Sequence, residues 1–411
     1  MDTNDYYALI GPCIVLLMVF EAQWARWRGH KVHHLPDTLA NLATGMGQVL
    51  FGIFTGAFLL LLYDRFQATF GLVTWSKSSP IPWVLAFVGV DFCYYWFHRS
   101  SHAVAALWAV HVVHHQSNEM NLSVALRQTY FSDFTALLFF WPLPLIGVPR
   151  EAFFLAVGVL SIYESLLHNQ IIDRTGLWGI LFNCPAFHRL HHACDERYLD
   201  KNFGSTLIVW DRIFGSFVKQ TVPPTYGIVE PHVGHNPVWA QVEPIVALVR
   251  RVRMAPSWRD ACAVLLRPPG WIAPWENPRE LVVLPRPARL PVPTSIAAYA
   301  IGQALVTAVC AEFVLFLVWR GTPPGVVTPA VVLLIAGPVV FGGLLEQKAW
   351  TRLGEPVRLV VTASVFAMLF AHAYGSTAIL LLVAWVVVSL IAFFTLVPRQ
   401  TKETVRAEAL P

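Results

Sequence analysis

Charged side chains are scarce in this sequence. Of its 411 residues, 13% are Asp, Glu, Lys or Arg, whereas 56% are hydrophobic and the mean hydropathy is +0.54. This composition is too apolar for a soluble chain and predicts a membrane protein. The net charge of +4 is small, and no basic tract is interleaved with aromatic residues. We therefore expect no nucleic-acid partner.

Several sequence signatures are also missing. The six cysteines form no C-x-x-C pair, so neither a disulfide framework nor a thiolate metal site is predicted. There is no G-x-G-x-x-G followed by an acidic residue and no P-loop, so any electrons for redox chemistry must come from an external reductant. The N-terminus, Met-Asp-Thr-Asn-Asp, lacks the basic region of a signal peptide, so we expect the first apolar segment to remain in the mature protein.

Long apolar segments predict an all-α, polytopic membrane protein built as a helical bundle. A segment at 134–167 is interrupted by prolines, and its first arm would span only about 22 Å of a bilayer core about 30 Å thick, so we expect a re-entrant helical hairpin there. Flanking Lys and Arg residues place the N-terminus outside and the histidine-rich region in a cytoplasmic cap. Seven spans are expected, at 7–25, 39–62, 82–97, 295–319, 326–345, 359–373 and 376–397.

The predicted domains are a membrane-embedded catalytic domain at 1–290, C-terminal transmembrane helices at 291–398 and a cytoplasmic tail at 399–411. Residues 169–290 are more polar and include Arg250-Arg-Val-Arg253, so we expect them to lie partly on the membrane surface. The predicted location is the inner membrane of a bacterium or the endoplasmic reticulum of a eukaryote, with the active site in the cytoplasm.

The most informative residues are histidines. Because residues three and four apart share a helix face, each H-x-x-H-H triplet is expected to point three imidazoles at one spot. Nine ligands are too many for one tetrahedral zinc, and imidazole suits iron, so the pattern predicts two iron ions. Nine of the fifteen histidines make this pattern: His98, His102, His111, His114, His115, His168, His188, His191 and His192.

Other interpretations of the histidines are weaker. His30-Lys-Val-His33-His34 repeats the spacing but lies in a basic loop, where interfacial placement is expected. A metalloprotease needs H-E-x-x-H, and here Arg99 occupies the position of the Glu. A histidine-rich metal transporter is a remote alternative, although the chain shows no internal repeat.

Two acidic residues are spaced to support the ligands. Asp91 precedes His98 by seven residues and His102 by eleven, which places the three within about 20° of one helical face. We expect its carboxylate to hydrogen-bond a ligand imidazole. Glu164 stands four residues before His168 and is expected to do the same.

Two further motifs follow the last triplet: Asp200-Lys-Asn202-Phe-Gly204 and Trp210-Asp211-Arg-Ile-Phe-Gly215. With the three histidine boxes, they resemble the fatty acid hydroxylase and sterol desaturase superfamily over about residues 90–217. Tyr94-Tyr-Trp-Phe-His98-Arg and Asn121-Leu-Ser-Val-Ala-Leu-Arg-Gln128 are most similar to its alkylglycerol monooxygenase group. That group carries an acid directly after the second histidine, where this chain has Ala103.

The resemblance implies a di-iron enzyme that uses O₂ to hydroxylate a lipid C–H bond, with Asn202 and Asp211 supporting the ligands. An alkylglycerol ether would be cleaved with tetrahydrobiopterin as the reductant. The alternative is a hydroxylase or desaturase of a fatty acyl, sterol or ornithine-type lipid that receives electrons through a ferredoxin or cytochrome. The expected partners are the lipid substrate, O₂, membrane lipids and an electron-donor protein.

Overall fold

The computed structural model describes residues 3–76, 78–173, 175–230, 232, 234–276 and 291–397. Over these residues the chain is helical and contains only two isolated β-bridges. It divides into an N-terminal unit, residues 1–232 and 239–287, and a C-terminal unit, residues 233–238 and 288–411. The predicted boundary at 290 and the predicted tail at 399–411 lie outside the described residues.

The N-terminal unit is organised around its third helix. This helix, α3, packs against α4, α5 and α7. The helices of this unit are α1 (Thr3–Trp27), α2 (Leu35–Phe70), α3 (Ile81–Ala103), α4 (Ala105–His115), α5 (Ser132–Phe140), α6 (Pro142–Leu145), α7 (Arg150–Leu167), α8 (Trp178–Leu181), α9 (Pro185–His191), α10 (Val209–Ile213), most of α11 (Pro237–Arg253) and α12 (Trp258–Leu266).

The hydrophobic core of this unit lies between α3 and the predicted hairpin. Val90 and Cys93 of α3 pack with Phe140, Leu143 and other buried residues of the 134–167 region. A Cβ at Gly89 would lie 2.6 Å from Leu143 Cδ2, so glycine is what permits this close approach. The chain breaks at the prolines as expected, giving α5, α6 and α7. That these helices re-enter the membrane remains a prediction.

Five segments of the described chain are long and apolar enough to cross a membrane: Leu35–Phe70, Thr294–Trp319, Pro324–Leu345, Thr351–Phe370 and Thr377–Leu396. They correspond to five of the predicted spans and make this a multi-pass membrane protein. The predicted spans 7–25 and 82–97 lie on α1 and α3, which are not among these segments. Crossings by α1 and α3 therefore remain predictions.

The C-terminal unit contains α13 (Thr294–Trp319), α14 (Pro324–Ala336), α15 (Pro338–Leu345) and α16 (Thr351–Leu396). Tyr299 of α13 contacts both halves of α16, because its hydroxyl bonds to Glu355 and its ring centroid lies 5.6 Å from that of Phe393. A straight helix would separate positions 355 and 393 by about 57 Å at 1.5 Å per residue. Helix α16 therefore doubles back, and its two arms correspond to the last two predicted spans.

Candidate metal centre

Four elements bring the nine predicted ligands together. The end of α3 supplies His98 and His102, and the chain turns at the extended residue Val104 before α4. Helix α4 carries the first triplet, α9 the second, and His168 caps the C-terminus of α7. All nine side chains are 8% exposed or less.

The imidazoles form two clusters. Within each cluster the potential ligand atoms all lie within 4.8 Å of one another. The clusters adjoin, since the rings of His115 and His192 are stacked with centroids 4.5 Å apart. The five-histidine cluster contains His98, His102, His111, His115 and His191, and the four-histidine cluster contains His114, His168, His188 and His192.

This grouping corrects the expectation that each triplet points at one spot. His111 and His115 enter the five-histidine cluster, whereas His114 enters the other. On α9, His191 is likewise separated from His188 and His192. Residues i and i+4 are about 40° apart around a helix axis, but i+3 and i+4 are about 100° apart, so one triplet reaches two sites.

The nitrogen spacing fits a shared cation in each cluster. The Nε2 atoms of His111 and His115 are 3.1 Å apart, and Nε2 of His168 lies 3.1–3.2 Å from those of His114, His188 and His192. Ligands about 2.1 Å from a common ion stand about 3.0–3.4 Å apart in octahedral or tetrahedral geometry. The clusters can therefore hold metal ions.

Unpartnered nitrogens support the same conclusion. The Nε2 atoms of His98, His102 and His191 are buried and have no hydrogen-bond partner among the described residues, and neither does Nδ1 of His188. A buried polar atom without a partner is costly. A metal ion would satisfy the three Nε2 atoms in the five-histidine cluster.

Backbone carbonyls orient four of these nine rings through the other nitrogen. Nδ1 of His98 bonds to the carbonyl of Phe203 at 2.8 Å, and Nδ1 of His191 to that of Lys201 at 2.9 Å. In the other cluster, Nδ1 of His114 and of His168 contact the carbonyls of Arg127 and Glu164 at 3.0 and 2.8 Å. A carbonyl can only accept, so each Nδ1 carries the proton and Nε2 is left for a metal.

The predicted supporting acids act on the backbone and not on the imidazoles. The carboxylate of Asp91 accepts bonds from the amides of Thr206 and Leu207 and from the Trp210 indole at 2.7–3.3 Å. The predicted bond from Asp91 to an imidazole is therefore wrong. Three nearby donors in the 206–210 segment satisfy the carboxylate instead.

The prediction for Glu164 also needs correction. Its backbone carbonyl, and not its carboxylate, contacts His168. The carboxylate accepts a 2.7 Å bond from the hydroxyl of Tyr94 and so links α7 to α3. The geometry of a helix C-terminus explains the difference, because the carbonyl four residues back is the nearest acceptor.

Asn202 and Asp211 brace the loop that supports His98 and His191. Asp211 accepts bonds from the amides of Phe203 and Gly204 at 2.8 and 2.7 Å, and Asn202 bonds to the backbone of Phe187 and Val218. A Cβ on Gly204 would lie 2.9 Å from the Asp211 carboxylate, which explains the glycine in this motif. Both residues thus hold ligand-supporting backbone in place.

Sequence reasoning missed two contributors. Asp200 has φ +56° and places its carboxylate 3.4 Å from Nδ1 of His102. Its position in the Asp200-Lys-Asn202 motif was the available signal. Arg127 is 2% exposed, and its guanidinium bonds to the Val113 carbonyl while its own carbonyl contacts His114. Arg127 is the only charged residue between Glu119 and Asp133 in the sequence, and this would have indicated it.

Burial keeps the imidazoles neutral, which is the form that binds a metal. The pKa of His114 is lowered to about 4: burial is the main cause, the Arg127 carbonyl opposes it, and the neighbouring imidazole of His102 acts in the same direction as burial. Burial, followed by the neighbouring histidines, also lowers the pKa values of His115 and His192 well below the usual range. The electrostatics of the centre therefore favour an uncharged donor set that accepts a cation.

The additional H-x-x-H-H sequence does not join the centre. Nε2 of His33 lies 3.0 Å from the Glu21 carboxylate, and its Nδ1 lies 3.4 Å from the hydroxyl of Thr38. Neither His33 nor His30 belongs to the two histidine clusters. His33 instead forms a local contact between α1 and the start of α2.

Comparison with known proteins agrees with the histidine motifs. Residues 83–216 match the fatty acid hydroxylase family model. The chain therefore contains a fatty acid hydroxylase domain, which confirms the resemblance drawn from the sequence. No solved structure matches the chain.

The similar proteins include alkylglycerol monooxygenases. Those of Xenopus tropicalis and Homo sapiens are each 31% identical over 272 residues, which cover 66% of this chain and 60% and 61% of theirs. An ornithine lipid hydroxylase of Rhizobium tropici is 29% identical over 208 residues, 49% of this chain and 61% of its own. The chain thus spans about three fifths of the length of these relatives.

Proposed function

We propose that this chain is a membrane di-iron monooxygenase that uses O₂ to hydroxylate a lipid C–H bond. The observation that supports it most is the pair of adjoining, buried histidine clusters inside a fatty acid hydroxylase domain. Nine neutral imidazoles without a thiolate suit iron. Iron bound there would supply the activation of O₂.

The chain's own residues would prepare the site for that chemistry. The carbonyls of Phe203, Lys201 and Arg127 hold the ligand rings at fixed angles, so little reorganisation is needed on metal binding. Trp108 and Phe203 lie beside His102, with ring centroids 4.9 and 5.2 Å away. These rings help to exclude water, which protects reactive oxygen chemistry from side reactions.

An alkylglycerol ether is the first candidate substrate because of the similarity to alkylglycerol monooxygenases. Hydroxylation of the carbon beside the ether oxygen gives a hemiacetal, which separates into an aldehyde and glycerol. The proposed reductant is tetrahydrobiopterin. An ornithine-type lipid, with electrons from a ferredoxin or cytochrome, is the second candidate because of the similarity to the ornithine lipid hydroxylase. We further propose that the active site faces the cytoplasm.

The proposal is tested by metal analysis followed by turnover. Purified protein should bind two irons and consume O₂ with an alkylglycerol and tetrahydrobiopterin, and His191→Ala should abolish turnover. His33→Ala is the matched control, because its imidazole bonds to Glu21 outside the clusters. One zinc and no iron in the active protein would overturn the oxygenase. Turnover of an ornithine lipid with ferredoxin alone would establish the second candidate, and metal transport without O₂ uptake would favour a transporter.

A further inference from the structure

An apolar surface beside the metal centre has no role in the proposed chemistry. It consists of five large side chains on the neighbouring short helices α8 and α10: Leu177, Trp178, Ile180, Leu181 and Ile213. They are 47–86% exposed, and we refer to them as the apolar tip. Neither helix belongs to a candidate membrane span. A cluster of this size on a water-facing loop would be unusual.

The two helices form one surface. A terminal nitrogen of Arg212 on α10 donates a 2.8 Å hydrogen bond to the carbonyl of Gly179 on α8. The amide of Ile208 bonds to the carbonyl of Leu181 at 3.0 Å. The tip is therefore a folded part of the domain and not two independent loops.

The polar groups of the tip are largely satisfied inside the fold. The Trp178 indole donates to the hydroxyl of Tyr163 at 3.0 Å. The Arg212 guanidinium lies 3.8 Å from the ring centroid of Phe217. Internal amides also bond to the carbonyls of Thr175, Leu177 and Trp178. Internal pairing of backbone groups is the requirement for entering hydrocarbon, where water cannot replace a missing partner.

The tip also continues the apolar outer faces of two long helices. On α3, Val84, Val88 and Phe92 are exposed at four-residue spacing, and the ring of Phe92 lies 5.0 Å from that of Trp210 just before Arg212. On α7, exposed Val159, Ile162 and Leu166 flank Tyr163, which holds Trp178. Both apolar faces therefore lead to the apolar tip. Trp210 lies where the face of α3 meets the tip, and Trp178 lies where the face of α7 meets it. Tryptophan is enriched at membrane interfaces.

We propose that the apolar tip inserts into the acyl-chain region of a lipid leaflet and anchors the ligand-bearing loops to the bilayer. Helix α8 packs on α9, because a Cβ at Gly179 would lie 3.2 Å from Phe187, one residue before His188. Insertion of the tip therefore holds the four-histidine cluster at a fixed, shallow depth beside the lipid. An interfacial helix typically sinks about 5–10 Å below the headgroups.

The test places an environment-sensitive fluorophore on the tip in lipid nanodiscs. Ile180→Cys is labelled in a chain whose exposed native cysteines, Cys13 and Cys262, are replaced by serine. Lys219→Cys, an exposed position of the same domain, is the matched control. The label at 180 should show blue-shifted emission, because several ångströms of burial place it in an apolar environment. In nanodiscs of brominated phosphatidylcholine, its fluorescence should be quenched at least about twofold more than that of the label at 219.

A second variant separates insertion from misfolding. Leu177→Glu with Ile213→Glu changes two side chains that are 86% and 62% exposed, so the fold should persist, and quenching at 180 should fall while metal content stays the same. A label at 180 with water-like, unquenched emission would overturn the proposal. The proposal would also be overturned if the label were shielded from water, were not quenched by bromine and could be crosslinked to another chain, because the tip would then contact a second copy. Neither readout depends on catalysis.

Discussion

The carboxylate of Asp211 offers the sharpest test of how the five-histidine cluster is held. It is fully buried and accepts bonds from the amides of Phe203 and Gly204 and from the hydroxyl of Ser216, at 2.6–2.8 Å. Asp211→Asn keeps the shape but turns an NH₂ toward at least one of these donors. The loss of a charge-assisted bond, about 1.5–3 kcal/mol, and an unsatisfied buried donor, about 1–3 kcal/mol, predict a total destabilisation of about 2.5–6 kcal/mol.

The same substitution should weaken metal binding at one cluster more than at the other. The Phe203 carbonyl orients His98, so movement of this loop misaligns a ligand of the five-histidine cluster. Changes of this kind typically cost about 10- to 100-fold in metal affinity. Thermal unfolding in detergent and metal content after dialysis against graded chelator measure both effects. Asp64→Asn is the control, because Asp64 forms an exposed ion pair with Arg150, and exposed ion pairs contribute little to stability. An Asp211→Asn protein with unchanged unfolding and both metals retained would refute the reasoning.

Three further outcomes are expected. The free energy of unfolding of the metal-free protein should fall as the pH falls from about 6.5 toward 4, because His114 binds a proton in the unfolded chain but stays neutral in the folded one, where its pKa is about 4. His114 alone should account for a loss of about 3 kcal/mol over this range. Unfolding that is insensitive to pH would contradict this expectation. His192→Ala should lower metal retention at the four-histidine cluster first, with metal content as the measurement. Glu355→Gln should lower the unfolding temperature by weakening the buried Arg358 pair, without reducing iron content.

The sequence specified which histidines come together better than it specified their grouping. The histidine spacing identified eight of the nine members of the two clusters, all except the single His168, because i, i+3 and i+4 positions stay near one helix face. The spacing did not assign His114 and His115 to different clusters. Their side chains are about 100° apart around α4, but this angle separates them only if a second site lies where the His114 ring points. That second site depends on contacts between α4, α7 and α9, which are distant in sequence.

Supporting residues were harder to assign because the backbone provides much of the support. Asp91 is on the predicted face of α3, yet the amides of residues 206 and 207, more than a hundred positions away, occupy its carboxylate. The carbonyls that orient His98 and His191 belong to Phe203 and Lys201, whose side chains carry no signal for this role. Hydropathy located five of the seven predicted spans on helices that are long and apolar enough to cross a membrane, because hydropathy needs no tertiary contact. The doubling back of α16 agrees with the prediction of two separate spans at 359–373 and 376–397.

The sharing of α4 and α9 between the clusters has a consequence for how the two histidine clusters would take up metal. Each of these helices presents imidazoles to both sites, so ordering the ligands of one site also orders ligands of the other. Under the proposed two-iron function, the first ion to bind would order those rings of α4 and α9 that no backbone carbonyl orients, and the second would enter a framework that is already rigid. Loading of the proposed centre should therefore be cooperative, with few singly occupied molecules during a metal titration, and protein made under iron limitation should be a mixture of metal-free and fully loaded molecules.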